Sequence, residues 1–512
     1  MKKQTIRKIV FIGIILLFIL FKLFILFNYY HFPSWDESVY IGMAKAMISS
    51  GKTGLWEEIR PPLLPLLFKP LLMITLVLKL PSNPLFLLDL LMLFFAIGVL
   101  ILVHSITKYF IKQQQQFEEE QQLQKSQQSL QSFQLILPAI AALSLAFSPL
   151  FFIESSKYMT EIPSSFFILL TFYLTLKQKH PFLIGLSAAL AFLMKFPNFL
   201  LIAAITIYYL FIYFESKNKM RVIKDILFTY AGFLLLFIPF LILNFILYKH
   251  YTESIFAAIF YPLLQGSLHQ SNLLHKISPS LLNVLYYPYI LLKENLLLIF
   301  SIFTIFLIKK LNEIKLLLIM LVIYLMYFTA IVNKQPRFSL LFLPIVVILA
   351  GIVINEIIQF MQEKRIAKNI FIIFLVIVLI FTIYFSIQKT ILEIKQYYPK
   401  TQPEIVTNYY HFFDNYSEDT RIITTDPIFA AYSNLKLIPA YNNVTDLSII
   451  FNQNKATAAI MIYDSEFYPY TNNDQECEEQ KQVFLDMLIK NYQLLYTRKD
   501  GNSEKYIFQL NK

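Results

Sequence analysis

Apolar runs of about 20 residues recur along this chain, and a run of that length can cross a lipid bilayer as a helix. Backbone groups inside a bilayer must find their hydrogen-bond partners within the protein, so we expect these runs to be helical. The predicted spans number eleven and cover residues 9–30, 85–107, 134–152, 162–176, 181–197, 198–213, 226–248, 292–308, 316–332, 338–357 and 369–387. The sequence therefore predicts a mostly α-helical, polytopic transmembrane bundle.

The composition supports the same class. Of the 512 residues, 57% are hydrophobic and only 15% are charged, against roughly 25% charged residues in soluble domains. The net charge of +11 does not indicate a nucleic-acid partner, because the basic residues gather in short loops between the spans. The single cysteine, Cys477, excludes an intramolecular disulfide. We expect membrane lipids, and no nucleic acid, among the partners.

Basic residues also orient the spans, because cytoplasmic loops carry an excess of lysine and arginine. The N-terminal segment MKKQTIRK is basic, and basic loops follow at residues 108–133, 177–180, 215–225, 309–315 and 362–369. We therefore predict an integral membrane protein, most naturally of the plasma membrane, with a cytoplasmic N-terminus. Since the number of spans is odd, the tail is predicted to be extracytoplasmic.

One further apolar stretch, PPLLPLLFKPLLMITLVLKL at residues 61–80, is also long enough to span. Counting it would reverse the side of every later loop and place the basic loops outside. The stretch contains three internal prolines and Lys69. We interpret it as a re-entrant or interfacial hairpin within one large outer loop, residues 31–84, where irregular backbone can line a cavity.

The tail differs in character from the rest of the chain. Apolar runs of spanning length stop after residue 387. Residues 421–426, 457–464 and 505–510 have the pattern of strands, and residues 478–490 that of a helix. We therefore predict two domains, a transmembrane domain at 1–389 and a small extracytoplasmic α/β domain at 390–512.

Charged residues gather at the predicted extracytoplasmic ends of the spans. An acid at a bilayer edge is costly unless it has a partner or a function. These residues are Asp36 and Glu37 after the first span, Arg60 before a Pro-Pro pair, Glu161 ahead of the fourth span, Lys195 near the end of the fifth, and Lys334 and Arg337 ahead of the tenth. Acids and cations on one side of the membrane favour a catalytic site there.

Each of these residues also has an explanation without catalysis. The acidic pair could cap a helix, and Glu161 could be favoured by the dipole at a helix N-terminus. Lys195 could extend its ammonium group to the interface. The cations ahead of the tenth span could be ordinary loop charges, and Arg60 could pair with Glu57 or Glu58.

Acids and cations at a membrane edge suit one particular chemistry, the transfer of a sugar from a polyprenyl phosphate. Cations would hold the phosphate at the interface, and arginine can do so with two hydrogen bonds. The departing phosphate develops negative charge that preorganised cations stabilise. A carboxylate would accept the proton of the attacking hydroxyl as general base. Direct displacement of this kind inverts the anomeric centre.

These segments resemble the integral-membrane C-type glycosyltransferases, and among them the protein O-mannosyltransferases and lipid A aminoarabinose transferases (glycosyltransferase family 39). WDESVYIGMAKAMISSGKTGLWEEIRPPLLPLL resembles their first outer loop, with an acidic pair and then a basic residue before two prolines. YMTEIPSSFFILLTFYLTLK, GLSAALAFLMKFPNFLL and NKQPRFSLLFLPIVVILAG resemble three later segments, in the same order. The resemblance covers residues 9–387. It departs from the family at Arg60, where lysine or histidine is common, and at Glu161, where aspartate is usual.

The resemblance implies a transferase that uses a dolichyl- or undecaprenyl-phosphate-linked sugar on the extracytoplasmic side. Asp36 would be the general base or would orient it, and Glu37 and Glu161 would bind acceptor or sugar hydroxyls. No cofactor is expected to be required, and a divalent metal stays an alternative that the residues do not indicate. The residues implied to hold the donor phosphate are Lys195, Lys334 and Arg337, with Arg60 as a weaker candidate.

The sequence names neither the sugar nor the acceptor, which could be a protein, a lipid or a glycan. Two other classes stay open, a polymerase or ligase of polyprenyl-linked glycans and a transporter of lipids or solutes. A transporter is expected to place ionisable residues near the bilayer midplane, whereas these lie at one edge. A glycan polymerase or ligase is expected to have basic residues in a large late loop, and residues 249–291 contain only Lys249 and Lys276.

Overall fold

A computed structural model of the chain describes most of its residues and places them in two compact units. The first unit comprises Met1–Tyr29, Asp89–Ile259 and Pro279–Tyr398, and the second comprises Tyr30–Leu88, Phe260–Ser278 and Pro399–Lys512. The described residues are 2–78, 85–121, 136–249, 252–264, 281–308, 313–331, 334–361, 365–397, 399–400, 402–440, 444–465, 474–500 and 503–510.

Helices dominate the chain up to residue 397, and a small sheet follows. The α-helices are α1 (Lys2–Asn28), α2 (Trp35–Ile48), α3 (Leu63–Leu78), α4 (Phe86–Gln121), α5 (Leu137–Ala146), α6 (Pro149–Glu154), α7 (Glu161–Leu176), α8 (Pro181–Met194), α9 (Phe199–Glu215), α10 (Lys219–Tyr248), α11 (Glu253–Leu264), α12 (Leu281–Glu294), α13 (Ile314–Ala330), α14 (Leu343–Phe360), α15 (Arg365–Tyr397), α16 (Phe429–Tyr432), α17 (Val444–Asn454) and α18 (Asp474–Asn491). Shorter 3-10 segments lie at Phe196–Asn198, Leu296–Leu307 and Pro336–Leu341, and a π-helical turn lies at Val406–Tyr410.

The predicted spans are helical, and the predicted fold class is confirmed. Six helices in the described chain are long and apolar enough to cross a membrane; they are Lys8–Asn28, Phe86–Gln114, Phe196–Glu215, Lys219–Leu247, Leu343–Phe360 and Asn369–Lys395. Shorter apolar helices occupy the other five predicted spans; they are Leu137–Ala146, Glu161–Leu176, Pro181–Met194, Leu296–Leu307 and Ile314–Ala330. The chain is an integral membrane protein, and its orientation stays a prediction.

Two of the long helices show how the first unit is layered. In the most apolar window of α14, 83% of the residues are buried inside the protein, whereas the figure for α15 is 11%. A helix that is apolar on all sides and buried forms the centre of a bundle, while an exposed apolar surface suits contact with lipid. Apolar side chains of α14 and α15, including Ile354, Ile358 and Leu375, join one buried cluster with Leu137 and Leu297.

Glycines let α8 and α10 approach each other closely. A Cβ atom on Gly185 would lie 1.8 Å from the carbonyl oxygen of Thr229, and one on Gly232 would lie 2.0 Å from that of Phe182. The two backbones therefore touch at both points. Small residues at such crossings are a common means of packing helices in lipid, where hydrophobic burial gives no advantage to one apolar neighbour over another.

Two loop predictions need correction in their details. The stretch 61–80 was predicted to be a hairpin, but the described residues form one helix, α3, which continues through Pro70. No turn of a hairpin lies within residues 61–78 of the described chain. The predicted loop 249–291 contains apolar helix α11 and most of α12. The prolines of the first stretch suggested a turn, but Pro70 lies inside the helix.

The tail forms the predicted α/β fold around a five-stranded sheet of order β2-β1-β3-β5-β4. Strands β1, β2 and β3 pair in parallel, and β5 pairs antiparallel with both β3 and β4. The strands are β1 (Arg421–Thr424), β2 (Lys436–Pro439), β3 (Ile460–Asp464), β4 (Gln493–Asp500) and β5 (Ser503–Gln509). The predicted strands at 421–426, 457–464 and 505–510 are confirmed, whereas β2 is too short and β4 too polar to be recognised from the sequence.

Residues 30–88 belong to the same compact unit as the sheet. Trp35, the first residue of α2, packs against the buried cluster that includes Ile423, Met461 and Phe508 of β1, β3 and β5. The predicted domain boundary between 389 and 390 stays a prediction, but Trp35 of the first loop packs against residues of the tail.

Candidate functional site

Glu37 closes the first turn of α2. Its Oε2 atom accepts a hydrogen bond of 2.7 Å from the backbone N–H of Ser34, the residue that caps the helix. Its Oε1 atom lies 2.8 Å from Nε2 of His31. The reciprocal contacts between Ser34 and Glu37 form a capping box. Only 1% of Glu37 is exposed, so its contacts favour the capping explanation raised from the sequence.

Asp36, the neighbouring acid, lies in a different environment. Its Oδ1 atom accepts a 2.6 Å hydrogen bond from Nη2 of Arg60, whose Nε donates at 2.9 Å to Oε2 of Glu57. The Arg60 guanidinium carbon lies 5.7 Å from the ring centroid of Tyr40. Asp36 and Arg60 keep 18% and 23% of their side chains exposed, so a substrate can reach this pair. We call Asp36, Glu57 and Arg60 the Asp36 cluster.

Electrostatics within the Asp36 cluster favour its charged forms. Burial alone would lower the pKa of Arg60, but the carboxylates of Asp36 and Glu57 hold it well above its ordinary value. A charged guanidinium at 2.6 Å in turn favours the carboxylate form of Asp36. An ionised, oriented and partly exposed carboxylate is able to accept a proton from a hydroxyl group.

In the first unit, Glu161 is brought together with two of the predicted cations. Its Oε1 atom lies 2.8 Å from Nζ of Lys195 and 3.7 Å from Nε of Arg337. Both cations also lie near Phe338, with Lys195 Nζ 4.9 Å and Arg337 Cζ 5.7 Å from the ring centroid. We call Glu161, Lys195, Arg337 and Phe338 the Glu161 cluster.

Local breaks in the helices position the residues of the Glu161 cluster. Glu161 begins α7, and Lys195 has an extended backbone between α8 and the segment Phe196–Asn198. Arg337 and Phe338 lie in the 3-10 segment that precedes α14. Each break places a polar side chain at the end of an apolar helix, where a charged group is tolerated.

Charge and exposure define what the Glu161 cluster can bind. One carboxylate faces two cations, so the cluster has a formal surplus of one positive charge. Glu161 is only 1% exposed, whereas the side chains of Lys195 and Arg337 are 15% and 22% exposed. The buried Oε2 of Glu161 has no hydrogen-bond partner among the described residues. The cluster can therefore hold an anion through its cations and accept a hydrogen bond at Oε2.

Lys334 is not brought into the Glu161 cluster by any contact of the described chain. Its Nζ donates a 2.8 Å hydrogen bond to the carbonyl oxygen of Ile331, and its own carbonyl accepts one of 3.3 Å from the hydroxyl of Tyr286. Partial burial lowers the pKa of Lys334. These contacts favour a structural explanation for this lysine.

No sequence signal identified Phe338, a member of the Glu161 cluster, or two neighbours of the Asp36 cluster. His31 and Tyr40 contact the residues around Asp36, and Phe338 lies beside both cations of the Glu161 cluster. The spacing of a capping box could have identified Glu37 as a cap. Pairing of Arg60 with Glu57 was one of the two alternatives raised from the sequence, but the contact with Asp36 had no sequence signal.

No group of three or more His, Cys, Asp or Glu side chains in the described chain could hold a metal ion. Carboxylates in both clusters are instead paired with Arg or Lys.

Comparisons with known proteins identify the fold. The chain resembles ArnT from Cupriavidus metallidurans bound to undecaprenyl phosphate, with a TM-score of 0.63, 11% identity and coverage of 98% of both chains. It also resembles the archaeal oligosaccharyltransferase AglB from Archaeoglobus fulgidus in complex with an inhibitory peptide and a dolichol-phosphate, with a TM-score of 0.58, 11% identity and coverage of 97% of this chain and 74% of that one. The chain shares the fold of these two proteins.

Comparisons of sequence match a smaller part of the chain. The family model of the GPI transamidase subunit PIG-U matches residues 59–273, which is less than half of the chain. No curated protein matches the sequence.

Proposed function

We propose that the chain transfers a sugar from a polyprenyl-phosphate donor to a hydroxyl acceptor on the extracytoplasmic side of the membrane, with inversion at the anomeric carbon. The observation that carries the proposal is the Glu161 cluster, in which a buried acid orders two partly exposed cations at the ends of apolar helices. The phosphate of a polyprenyl-phosphate lipid is an anion that such cations can bind. The names of the structural neighbours, which include undecaprenyl phosphate and dolichol-phosphate, support the same class of donor.

Lys195 and Arg337 are the proposed ligands of the donor phosphate. As the bond between the anomeric carbon and the phosphate oxygen breaks, the leaving group gains negative charge, which these preorganised cations stabilise. The buried Oε2 of Glu161 is proposed to accept a hydrogen bond from a sugar hydroxyl. Lys334 is a secondary candidate, because its ammonium group already donates to a backbone carbonyl.

Asp36 is the proposed general base. The acceptor oxygen forms a bond to the anomeric carbon, and its proton passes to the Asp36 carboxylate as the polyprenyl phosphate departs. Arg60, predicted from the resemblance as a weaker phosphate ligand, is better explained as the residue that orients Asp36 and keeps it ionised. Glu37 is proposed to fix the first turn of α2, on which Asp36 lies.

Binding of undecaprenyl phosphate to the purified chain in lipid nanodiscs tests the donor site. We expect Lys195→Met and Arg337→Met each to weaken binding at least tenfold, since each removes a charge-assisted contact worth about 1.5–3 kcal/mol. Lys334→Met is expected to have a smaller effect. Lys179→Met, an exposed lysine of the predicted cytoplasmic loop 177–180, is the matched control. Equal binding by wild type, Lys195→Met and Arg337→Met would refute the proposed phosphate site.

The match to the GPI transamidase subunit model favours a second candidate, a subunit of a membrane complex that performs no transfer of its own. The two candidates differ in one observable. A transferase releases polyprenyl phosphate when the isolated chain is given a donor sugar and an acceptor, whereas a non-catalytic subunit binds lipid without turnover.

A further inference from the structure

The residues of the tail hold helix α2 at both of its ends, and this arrangement carries an inference about how the candidate base is positioned. We call residues 399–510 the sheet domain. All contacts described below lie within the second compact unit, which contains both α2 and the sheet domain.

Aromatic rings hold the segment that enters α2. The ring centroid of Phe32 lies 5.9 Å from that of Tyr410 and 6.3 Å from that of Tyr432. The backbone N–H of Tyr30 donates a 2.7 Å hydrogen bond to the carbonyl of Pro399. Burial of large rings in such stacks is worth more than their area alone, so the chain just ahead of Asp36 is fixed to the sheet domain.

Lys45 holds the other end of α2. Its ammonium group donates hydrogen bonds of 3.0 and 2.9 Å to the carbonyl oxygens of Ala431 and Ser433. These carbonyls lie at the end of α16, where no residue of that helix is left to donate to them. One side chain of α2 therefore satisfies two backbone acceptors of the sheet domain.

The loop after α2 joins the edge of the sheet. Gly54 donates a 2.9 Å hydrogen bond to the carbonyl of Leu435 and accepts one of 2.9 Å from the N–H of Leu437. Its φ of +72° suits glycine, and a Cβ there would lie 2.2 Å from the carbonyl oxygen of Gly42. The edge strand β2 thus gains a partner from the first loop, which also protects its unpaired groups.

The sheet domain supplies a rigid support for these contacts. Lys505 forms buried ion pairs with Asp426, at 3.1 Å, and with Asp464. The hydroxyl of Tyr410 donates a 3.0 Å hydrogen bond to Asp426. The ring that holds Phe32 is therefore tied to the ends of β1, β3 and β5 through a network in which each charge has a partner.

We infer that Lys45 is a positioning residue through which the sheet domain sets the place of Asp36. Asp36 lies in the first turn of α2 and Lys45 in the last. Because α2 is held at both ends, a displacement of its last turn also displaces Asp36. This inference rests on the proposed function, because it gives the sheet domain a part in the same reaction. It also assigns the tail a role that a merely attached domain would not have.

Kinetics of Lys45→Met in the full chain test the inference, with the exposed Lys52→Met as the matched control and Lys45→Arg as the conservative variant. Misplacing a catalytic group by about 1 Å can cost up to 100-fold in rate. We expect kcat of Lys45→Met to fall about 10- to 100-fold with the KM for the donor unchanged. Lys45→Arg, which can still donate to two carbonyls, should recover part of the loss. An unchanged kcat, or a loss seen only in KM, would overturn the inference.

A spectroscopic measurement tests the clamp without activity. The chain has 2 tryptophans, so Trp56→Phe leaves Trp35 of α2 as the only one, packed on the core of the sheet domain. We expect its emission to move to longer wavelength when Lys45→Met is added, and to stay unchanged with Lys52→Met. Unchanged emission in both variants would overturn the clamp even if the wild type transfers no sugar. Absence of transfer together with the expected shift would instead count against the proposed function alone.

Discussion

Two adjacent acids, Asp36 and Glu37, lie in the first turn of α2 but have different contacts. Glu37 turns back to the cap at Ser34 and is buried, while Asp36 points to Arg60 and stays partly exposed. Glu37, buried and fully hydrogen-bonded, stabilises the start of the helix. Asp36, partly exposed beside a cation, is accessible to a substrate. The two roles differ because consecutive residues of a helix point in different directions.

Arg60→Gln tests the electrostatic part of this account. Removing the guanidinium takes away the charge that favours the ionised form of Asp36. We expect the rate to fall in the Gln variant and the acid limb of its pH–rate profile to move to higher pH. Wild type and variant are compared over pH 4 to 8 in the same lipid. An acid limb at the same pH in both proteins would contradict an effect of Arg60 on the base.

At the scale of elements, the crossing of α8 and α10 depends on glycine rather than on side-chain complementarity. Because a Cβ on Gly185 would overlap the backbone of Thr229, Gly185→Ala is expected to separate the helices. Overpacking of this kind costs roughly 1–3 kcal/mol. The midpoint of thermal unfolding in detergent measures the loss. Gly13→Ala is the matched control, since nothing lies within 4 Å of a Cβ at that position, and an equal loss in both variants would argue against the close crossing.

The contact between α2 and α16 has a pH dependence of its own. Burial lowers the pKa of Lys45 to about 7, although Asp414 acts to raise it. The ordinary value is 10.5, so between about pH 7 and that value the unfolded chain binds more protons than the folded one. Stability contributed at this site therefore rises with pH across that window, and the neutral amine keeps two N–H groups for the two carbonyls.

Unfolding midpoints of wild type and Lys45→Met from pH 7 to 9 measure this effect. The wild type is expected to gain stability with pH relative to the variant, which lacks the titrating group. Parallel curves for the two proteins would show that Lys45 keeps an ordinary pKa in the folded chain.

At the scale of the whole molecule, the sequence predicts what local patterns encode. All eleven predicted spans contain helix, because an apolar run is a local signal, and six of the helices in the described chain are long enough to cross a membrane. Three strands of the tail are also predicted from short apolar segments, and its last helix from a helical pattern at residues 478–490. Strand β2, by contrast, has only four residues, Lys436–Pro439. Its pairing with β1 and with Gly54 determines its extended conformation.

The candidate site was predicted in part for the same reason. Residue types and their order identified Asp36, Glu161, Lys195 and Arg337. Their pairings are contacts between positions distant in sequence, such as Lys195 with Glu161, and no local pattern encodes them. The contacts that hold α2 are a further case, since Lys45 donates to carbonyl oxygens 386 and 388 residues later in the chain.

Transfer of a radiolabelled sugar from polyprenyl-phosphate donors, measured for wild type and Asp36→Asn, tests the central claim most directly. The substitution is nearly isosteric and removes the proton acceptor. General-base catalysis contributes about 10²- to 10⁴-fold, so the variant should lose transfer by that factor while still binding undecaprenyl phosphate. Asp419→Asn, a change at an exposed acid of the sheet domain, should transfer at the wild-type rate. Equal transfer by wild type and Asp36→Asn would contradict the account, because Asp36 would then be only an acid at the start of a helix.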